Sequence, residues 1–191
     1  MNYLVAWSGG LDSTGLIYDL LSKGHYVSTV YVKIKNNKQQ SKKELKAISK
    51  MRSYFSQYSF EFRGYQEIQI SAIAKPGLHL NQVPILLLGL LYSLNSEFDS
   101  KVALGYIMND DAISYLPEIK RVWKSYSHLL SQSTPPLEFP LIKTKKSEIY
   151  QQLPTSLKES ITWCESEDQK LSEPCGKCPS CIRMNDLLET T

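Results

Sequence analysis

Short apolar segments alternate with amphipathic segments along most of this chain. Tyr3 to Trp7 is a short apolar run typical of a buried strand, and Ser8-Gly9-Gly10 interrupts it sharply. Leucine and isoleucine then recur at helical spacing as far as Gly24, which stands where helices commonly end. Tyr26 to Val32 alternates β-branched and aromatic residues, which predicts a second strand. The start of the chain therefore predicts a β-α-β unit with parallel strands and a right-handed crossover.

The rest of the chain continues this alternation, although Tyr65 to Gln82 has no clear pattern. The further elements predicted are a helix in the C-terminal half of Lys33 to Arg52, a strand at Phe60 to Phe62, a core helix at Val83 to Asn95, a strand at Lys101 to Tyr106, a helix at Pro117 to Ser131, a strand-like segment at Leu137 to Ile142, and a helix capped by Thr144. This order predicts an α/β fold with a Rossmann-like, doubly wound parallel sheet. Ligands of such sheets bind outside the carboxyl ends of the strands, so we expect the site after Trp7, Val32 and Tyr106.

Composition and charge narrow the class of protein. The 191 residues are 42% hydrophobic and 21% charged, which is typical of one folded domain and excludes a disordered chain. A net charge of +3 is too small to indicate nucleic-acid binding by itself. The most apolar stretch, Val83 to Leu94, is shorter than the roughly 20 residues of a membrane-spanning helix. The N-terminus has no basic start followed by a long apolar run, so we expect a cytoplasmic protein.

A glycine-rich turn joins the first predicted strand to the first predicted helix. It reads Ser8-Gly9-Gly10-Leu11-Asp12-Ser13-Thr14. Adjacent glycines let the backbone approach a bulky anion, and the N-terminus of the following helix offers unpaired N–H groups to phosphate. The hydroxyl groups add donors, while Asp12 suits either Mg²⁺ or the bracing of the turn. A Gly-Gly pair after a strand is also common in ordinary tight turns, so the glycines alone leave both interpretations open.

The complete string resembles the PP-loop of the ATP-pyrophosphatase superfamily. It differs from the Walker sequence, which ends in Gly-Lys-Ser/Thr, and from the spaced glycines of dinucleotide-binding folds. The resemblance implies an adenine nucleotide alpha-hydrolase-like fold, with ATP and Mg²⁺ as cofactors. Members of the superfamily typically cleave ATP to AMP and pyrophosphate. The residues then implied to bind the nucleotide are Ser8, Gly9, Gly10, Leu11, Asp12, Ser13 and Thr14.

All four cysteines lie in the last 28 residues, at Cys164, Cys175, Cys178 and Cys181. The spacing C-x10-C-x2-C-x2-C can supply four thiolates to a tetrahedral Zn²⁺ ion, and a four-cysteine site is structural because it has no open position. An iron–sulfur cluster is also held by four thiolates and is the alternative. We therefore expect a nucleotide-binding domain at 1–159 and a small zinc-binding segment at 160–191, packed on the same domain.

The two end motifs together resemble the QueC family of 7-cyano-7-deazaguanine synthases. The tail Cys175-Gly176-Lys177-Cys178-Pro179-Ser180-Cys181-Ile182-Arg183 looks like the zinc segment of that family. Thr162-Trp163-Cys164 is similar to its Thr-Trp-Ser-Cys stretch, with one residue missing. Pro140-Leu141-Ile142 followed by Lys146-Ser147-Glu148-Ile149 is similar to its Pro-Leu, then Thr-Lys-Ala-Glu-Ile. The resemblance covers most of the chain, but only the two end motifs are specific.

Other segments depart from the family pattern. After the second strand the family carries Asp-Tyr-Gly-Gln and a nearby histidine, where this chain reads Val32-Lys33-Ile34-Lys35-Asn36-Asn37. The Arg-Asn that usually follows Val-Pro is replaced by Leu86-Leu87-Leu88. The nucleotide and zinc motifs are kept, whereas the segments expected to meet a deazapurine or a partner differ.

The resemblance implies an ATP-dependent carbon–nitrogen ligase. The carboxylate of 7-carboxy-7-deazaguanine would attack the α-phosphate of ATP and release pyrophosphate, and ammonia would convert the acyl-adenylate to an amide. In the family a second adenylation then gives the nitrile. The resemblance assigns catalytic roles to Asp12, Ser13 and Lys146, with Lys146 offsetting negative charge, although Lys143, Lys145 and Lys146 also read as a solvated basic cluster. QueC-like proteins are commonly dimers, so a homodimer is also implied.

Further candidate residues follow the predicted strand at Lys101 to Tyr106. Asn109, Asp110 and Asp111 suit Mg²⁺ or a substrate amine, and they equally suit an ordinary turn. His79 is the one histidine placed as a candidate, because it lies beside Val83-Pro84, a dipeptide that also opens a family helix.

Two alternative functions stay open at this point. A QueC-like antiphage enzyme of the CBASS type would join the activated deazapurine to a protein amine, and the altered segments and the basic stretch from Lys33 to Arg52 favour it. A nucleotide-binding or tRNA-modifying PP-loop module is the other. The presence of Asp12 and Ser13 in the motif argues against a catalytically inactive site, and the small net charge argues against tRNA binding.

Overall fold

A computed structural model describes residues 1–34, 38–68, 82–130, 133–166 and 173–190. Within these ranges the chain is α/β, with one all-parallel five-stranded sheet, which confirms the predicted fold class at that level. In chain order the elements are β1 (Asn2–Ala6), α1 (Leu11–Ser22), β2 (Tyr26–Ile34), α2 (Lys38–Phe55), β3 (Phe60–Ile68), α3 (Gln82–Tyr92), β4 (Lys101–Ala103), a short 3-10 helix (Asp111–Tyr115), α4 (Leu116–Leu129), β5 (Leu137–Glu138), α5 (Lys146–Gln152), α6 (Thr155–Lys158) and α7 (Pro179–Thr190).

The strand order in the sheet is β3-β2-β1-β4-β5. Tyr3 of β1 lies opposite Val27 of β2 on one side and Lys101 of β4 on the other. The chain therefore runs outward from β1 to β3 and then crosses to the opposite side of β1 for β4. Open α/β sheets bind ligands at such a reversal, outside the carboxyl ends of the strands, which here means the crevice between β1 and β4.

Each face of the sheet carries its own apolar core. Successive side chains of a strand point to opposite faces, so Val5 and Trp7 join one buried cluster while Leu4 joins the other. Helices α1, α2, α5, α6 and α7 contribute to the first cluster, and α3 and α4 to the second. Met184 and Leu187 of α7 are buried in the same cluster as α1, so the cysteine-bearing tail packs on the α/β domain.

Several elements differ from their prediction. Strand β3 continues to Ile68, well beyond Phe62, because residues 65–68 pair with β2 after a register shift. Helices α6 and α7 form where no helix was predicted. The predicted cap Thr144 is wrong: Lys145 is the N-cap of α5, and its N–H donates to Glu148 Oε2 at 3.0 Å. None of the described helices has both the length and the apolar character to cross a bilayer.

Candidate functional site

Trp7 and Thr14 stabilise the turn after β1 from the side that faces the core. The Trp7 backbone N–H extends the pairing with β2 by donating to Val30 O at 2.9 Å, and the side chain is buried. Its indole N–H donates to Thr14 Oγ1 at 3.0 Å. Thr14 is itself fully buried. Of the hydroxyls predicted to meet phosphate, that of Thr14 therefore faces the core and fixes the first turn of α1.

The two glycines of the turn have different structural roles. Gly9 has a φ of +75°, and a Cβ there would lie 3.1 Å from Glu44 O and 3.2 Å from Ala47 Cβ, so only glycine lets the turn lie against α2. Gly10 is the N-cap of α1, and no described side chain caps that helix end. The first-turn N–H groups of a helix have no intrahelical partner, so this end can receive an anion.

The hydroxyls of Ser8 and Ser13 lie together over the turn. Their Oγ atoms are 3.1 Å apart, and Ser13 Oγ also accepts from the Ser8 N–H at 3.3 Å. Gly10 N–H points to Ser8 Oγ at 3.4 Å. Hydroxyl and backbone donors are thus gathered at the start of α1, at the position that the motif predicted.

Two cavities adjoin the turn. The larger, of about 370 Å³, lies at the carboxyl ends of β1, β2 and β4, and its apolar wall consists of Val32, Ile34, Val83, Leu86 and Leu104. The smaller, of about 200 Å³, lies beside Lys146, Trp163 and Cys164. Both cavities are lined by Ser8, Asp12, Gln40 and Glu44. The turn and part of α2 therefore form the boundary between two adjacent cavities.

Asp12 and Lys146 meet at this boundary although they are far apart in sequence. Lys146 Nζ lies 3.4 Å from Asp12 Oδ2, while the buried Oδ1 atom has no hydrogen-bond partner in the described structure. Burial raises the pKa of Asp12; Lys146 opposes this rise, and the nearby charge of Asp110 adds to it. Gly105, just after β4, lets the first turn of α1 lie close to the end of that strand, because a Cβ there would lie 2.9 Å from Asp12 O.

Of the three polar residues predicted after β4, Asp110 lines the larger cavity. Its Oδ1 also accepts from the Ala112 N–H at 3.0 Å and so caps the short 3-10 helix. Asn109 has a φ of +67° and is exposed, as is Asp111. The structure therefore brings Asp110 to the cavity and leaves Asn109 and Asp111 at the surface. His79 lies outside the described residues, as do residues 35–37 after β2.

Glu44 was not predicted as a site residue. Its carboxyl group accepts a hydrogen bond from the Tyr31 hydroxyl at Oε2 and one from Gln40 Nε2 at Oε1, the latter at 3.2 Å. Burial raises the pKa of Glu44 to about 7, and these two donors oppose the rise only in part. One sequence signal did mark it: Glu44 is the only acidic residue in the basic stretch from Lys33 to Arg52.

The four cysteines converge as their spacing predicted. All four are free thiols, and their Sγ atoms lie within 4.8 Å of one another, a group that could hold a metal ion. Cys175 and Cys178 flank a turn in which Gly176 has a φ of +68°. Cys181 enters from the first turn of α7, and Cys164 from a segment without regular secondary structure after α6.

Backbone N–H groups surround these sulfur atoms. Lys177 N–H and Cys178 N–H donate to Cys175 Sγ at 3.4 and 3.3 Å, and they lower the pKa of the Cys175 thiol to about 6. Cys175 N–H donates to Cys164 Sγ at 3.3 Å. Burial acts in the opposite direction on Cys181 and raises its pKa to about 12. N–H donors of this kind favour thiolates, the form in which cysteine binds metals.

The cysteine cluster is connected directly to the glycine-rich turn. Thr162 N–H donates to Gly9 O at 2.9 Å, two residues before the first cysteine. Cys164 itself lines the smaller cavity together with Glu165 and Ser180. An ordered cysteine cluster therefore also fixes the position of one wall of that cavity.

No family model matches this chain, and no curated protein matches it either. The function must therefore be argued from the site itself.

Proposed function

We propose that this chain is a QueC-like enzyme of the PP-loop ATP-pyrophosphatase superfamily with a Rossmann-like fold. It would adenylate the carboxylate of 7-carboxy-7-deazaguanine, release pyrophosphate, and pass the acyl group to ammonia to give the amide and then the nitrile. One observation carries the proposal: the helix N-terminus at Ser8–Thr14, which no described side chain caps, lies between two cavities, with the Asp12–Lys146 pair beside it.

The larger cavity suits the nucleoside part of ATP. Its volume of about 370 Å³ falls within the range of small-molecule sites, and its apolar wall offers the contact that a purine ring needs. The phosphates would then extend toward the N–H and hydroxyl donors of the turn. The acceptor carboxylate would approach from the smaller cavity, where Lys146 offsets negative charge.

The donor set at the boundary fits Mg²⁺. Within the described residues Asp12 Oδ1 is a buried oxygen without a hydrogen-bond partner, and the charge of Asp110 is close enough to raise the pKa of Asp12. A hard divalent cation prefers such carboxylate oxygens and would relieve both the burial and the repulsion. When bound, Mg²⁺ would neutralise charge on the phosphate oxygens.

The cysteine cluster fits Zn²⁺. Zinc–sulfur bonds of about 2.3 Å place tetrahedral sulfur atoms roughly 3.8 Å apart. The Cys175 and Cys181 Sγ atoms are 3.9 Å apart, and all four lie within 4.8 Å. A site closed by four thiolates would be structural, and it would hold Thr162 against Gly9 and Cys164 in the wall of the smaller cavity.

The test is a reaction of purified protein with Mg-ATP, 7-carboxy-7-deazaguanine and ammonium, followed by mass spectrometry and by ATP–pyrophosphate exchange. We expect AMP and pyrophosphate in equal amounts, with amide and then nitrile. Asp12→Asn should lower exchange at least about 100-fold, since it removes the carboxylate that would hold the Mg²⁺ ion at the phosphates. Asp19→Asn is the matched control, because Asp19 lies on the same helix but pairs with Lys23 at the surface.

Each other outcome of this experiment would favour a different function or mechanism. Unchanged exchange in Asp12→Asn would remove the turn from the mechanism. AMP formation without released amide or nitrile would favour the enzyme that joins the acyl group to a protein amine. A wild-type protein that turns over no ATP under any condition would favour a nucleotide-binding module.

A further inference from the structure

A largely buried carboxyl group, which has no cationic partner among the described residues, lies in the wall shared by the two cavities. Glu44 projects from α2 and lines both spaces, and its backbone oxygen borders Gly9 of the turn. The hydrogen bonds that it accepts come from Tyr31 and Gln40, which are neutral donors. The nearby Lys43 is directed elsewhere, with Nζ 2.8 Å from Ser166 O.

The other charged and titratable groups around these cavities come from several elements. Asp12 of α1, Asp110 before the 3-10 helix, Tyr31 of β2 and Tyr106 after β4 line the larger cavity with Glu44. In the described part of the chain no lysine, arginine or histidine lines that space. Lys146 and Glu165 line the smaller cavity. Among the described residues, the surroundings of Glu44 are therefore acidic or neutral on the larger side and include a cation on the smaller side.

In this environment the Glu44 carboxyl group is partly protonated and partly ionised near neutral pH. Burial raises its pKa to about 7, and a group with a pKa near the working pH is the most effective proton acceptor. The Tyr31 and Gln40 donors occupy one oxygen each and hold the carboxyl plane in place. Both are positioning residues for Glu44.

We infer that Glu44 is the proton acceptor for the amine nucleophile in the acyl-transfer step. This role rests on the proposed function. The amine enters uncharged and its nitrogen forms a C–N bond with the acyl carbon of the adenylate. One N–H proton passes to the Glu44 carboxylate, and AMP leaves with the electron pair of the broken C–O bond. Glu44 then returns the proton to solvent.

The location of Glu44 suits this step. The acyl carbon is bonded to the α-phosphate through one oxygen, so it must lie where the nucleotide space meets the acceptor space. The residues common to both cavity walls are Ser8, Asp12, Gln40 and Glu44. Among these, Asp12 already has Lys146 as a cationic partner and is suited to the metal, which leaves Glu44 as the carboxylate for proton transfer.

The experiment separates adenylation from transfer in the full-length protein. ATP–pyrophosphate exchange with 7-carboxy-7-deazaguanine reports adenylation, and amide formation with ammonium reports transfer. Transfer rates are expressed per concentration of unprotonated ammonia from pH 5.5 to 9. We expect Glu44→Gln to lose transfer by roughly 100-fold or more and to lose far less of the exchange activity. The matched control is Glu97→Gln, at an exposed position in the turn before β4.

The pH profile supplies a second readout. In the wild type, transfer per free ammonia should fall below about pH 7, where Glu44 holds its proton, and this acid limb should be absent from Glu44→Gln. Tyr31→Phe removes a donor that favours the charged carboxylate, so its acid limb should move to higher pH. Hydroxylamine, a weaker base that needs less help in losing its proton, should lose less rate than ammonia in Glu44→Gln.

Several results would overturn the assignment. Equal transfer by Glu44→Gln and wild type would exclude the role. Loss of exchange together with transfer would place Glu44 in adenylation and leave the proposed function standing. Absence of exchange in the wild type would refute the adenylation itself, and the proton-acceptor role with it. If Glu44→Gln does not fold, an unshifted acid limb in Tyr31→Phe overturns the inference and a shifted one supports it.

Discussion

Gly15 controls how closely α5, and with it Lys146, can approach α1. A Cβ at Gly15 would lie 2.2 Å from Ile149 Cγ2, whereas ordinary contact begins at 3.4 Å. Gly15→Ala must therefore displace α5 or α1 by roughly 1.2 Å, because Ile149 is buried and has little room to move. Overpacking of this kind costs about 1–3 kcal/mol, and the better helix propensity of alanine returns about 1 kcal/mol.

A double-mutant cycle isolates the steric contact. Ile149→Ala alone should cost about 2–5 kcal/mol, because it leaves a cavity. The double variant Gly15→Ala/Ile149→Ala removes the clash and partly fills that cavity, so it should be more stable than the sum of the single changes by about 1–3 kcal/mol. The measurement is urea unfolding at fixed pH, with the free energy of unfolding compared among the four proteins.

The control pairs Gly15→Ala with Ile119→Ala. Ile119 is a buried isoleucine of α4 in the cluster on the opposite face of the sheet, so these two changes should add within about 0.5 kcal/mol. Strict additivity between Gly15 and Ile149, or a Gly15→Ala protein more stable than the wild type by the full ~1 kcal/mol of helix propensity, would refute the packing argument. Lys146 begins α5, and a shift of about 1 Å at a catalytic group can cost 100-fold in rate, so the single variant should also lose ATP–pyrophosphate exchange.

Three further predictions concern the metal cluster, a buried ion pair and Glu44. Purified protein should contain about one zinc per chain, and Cys178→Ser should lower both zinc content and melting temperature; iron with sulfide would instead indicate a cluster. Asp99 is fully buried and accepts from Arg63 at 2.6 and 2.9 Å and from the Asn95 N–H, so Asp99→Ala should cost about 3–5 kcal/mol in urea unfolding, and a loss below 1 kcal/mol would contradict this. Glu44 has a folded pKa near 7 against 4.5 for the unfolded chain, so wild-type stability falls, relative to Glu44→Gln, as pH rises from 4.5 to 7. At pH 8 Glu44→Gln should be more stable than wild type by up to about 3 kcal/mol, with a much smaller difference at pH 4.5, and a pH-independent difference would contradict the burial of this carboxyl group.

Local sequence patterns predicted the features that depend only on residues close together along the chain. The apolar run at Tyr3 to Trp7, the glycines after it and the helical spacing that follows led directly to β1, the turn and α1. The cysteine spacing likewise anticipated the convergence of four sulfur atoms, because two of the three intervals are short enough for a single turn. Alternation of strands and helices indicated the parallel sheet, since parallel strands require crossovers.

Other features depend on which segments become neighbours in space. Thr14 belongs to the motif, yet its hydroxyl meets the Trp7 indole in the core, because α1 lies directly against β1. Strand β3 is longer than its apolar pattern indicated, since its pairing with β2 supplies hydrogen bonds that extend it to Ile68. Helix α7 packs Met184 and Leu187 into the core beside α1, although its sequence is polar overall.

The amino-acid sequence by itself determined the α/β alternation, the turn from Ser8 to Thr14 and the four-cysteine spacing, because each follows from backbone preferences or from short separations along the chain. Only the tertiary structure decided that Lys146 lies 3.4 Å from Asp12, that Asp110 reaches the larger cavity while Asp111 stays exposed, and that Glu44 lines both cavities. These contacts and positions involve residues of α1, α2, α5 and the segment after β4. Their distances, and the burial that raises the pKa of Glu44, exist only when these elements pack around the carboxyl edge of the sheet.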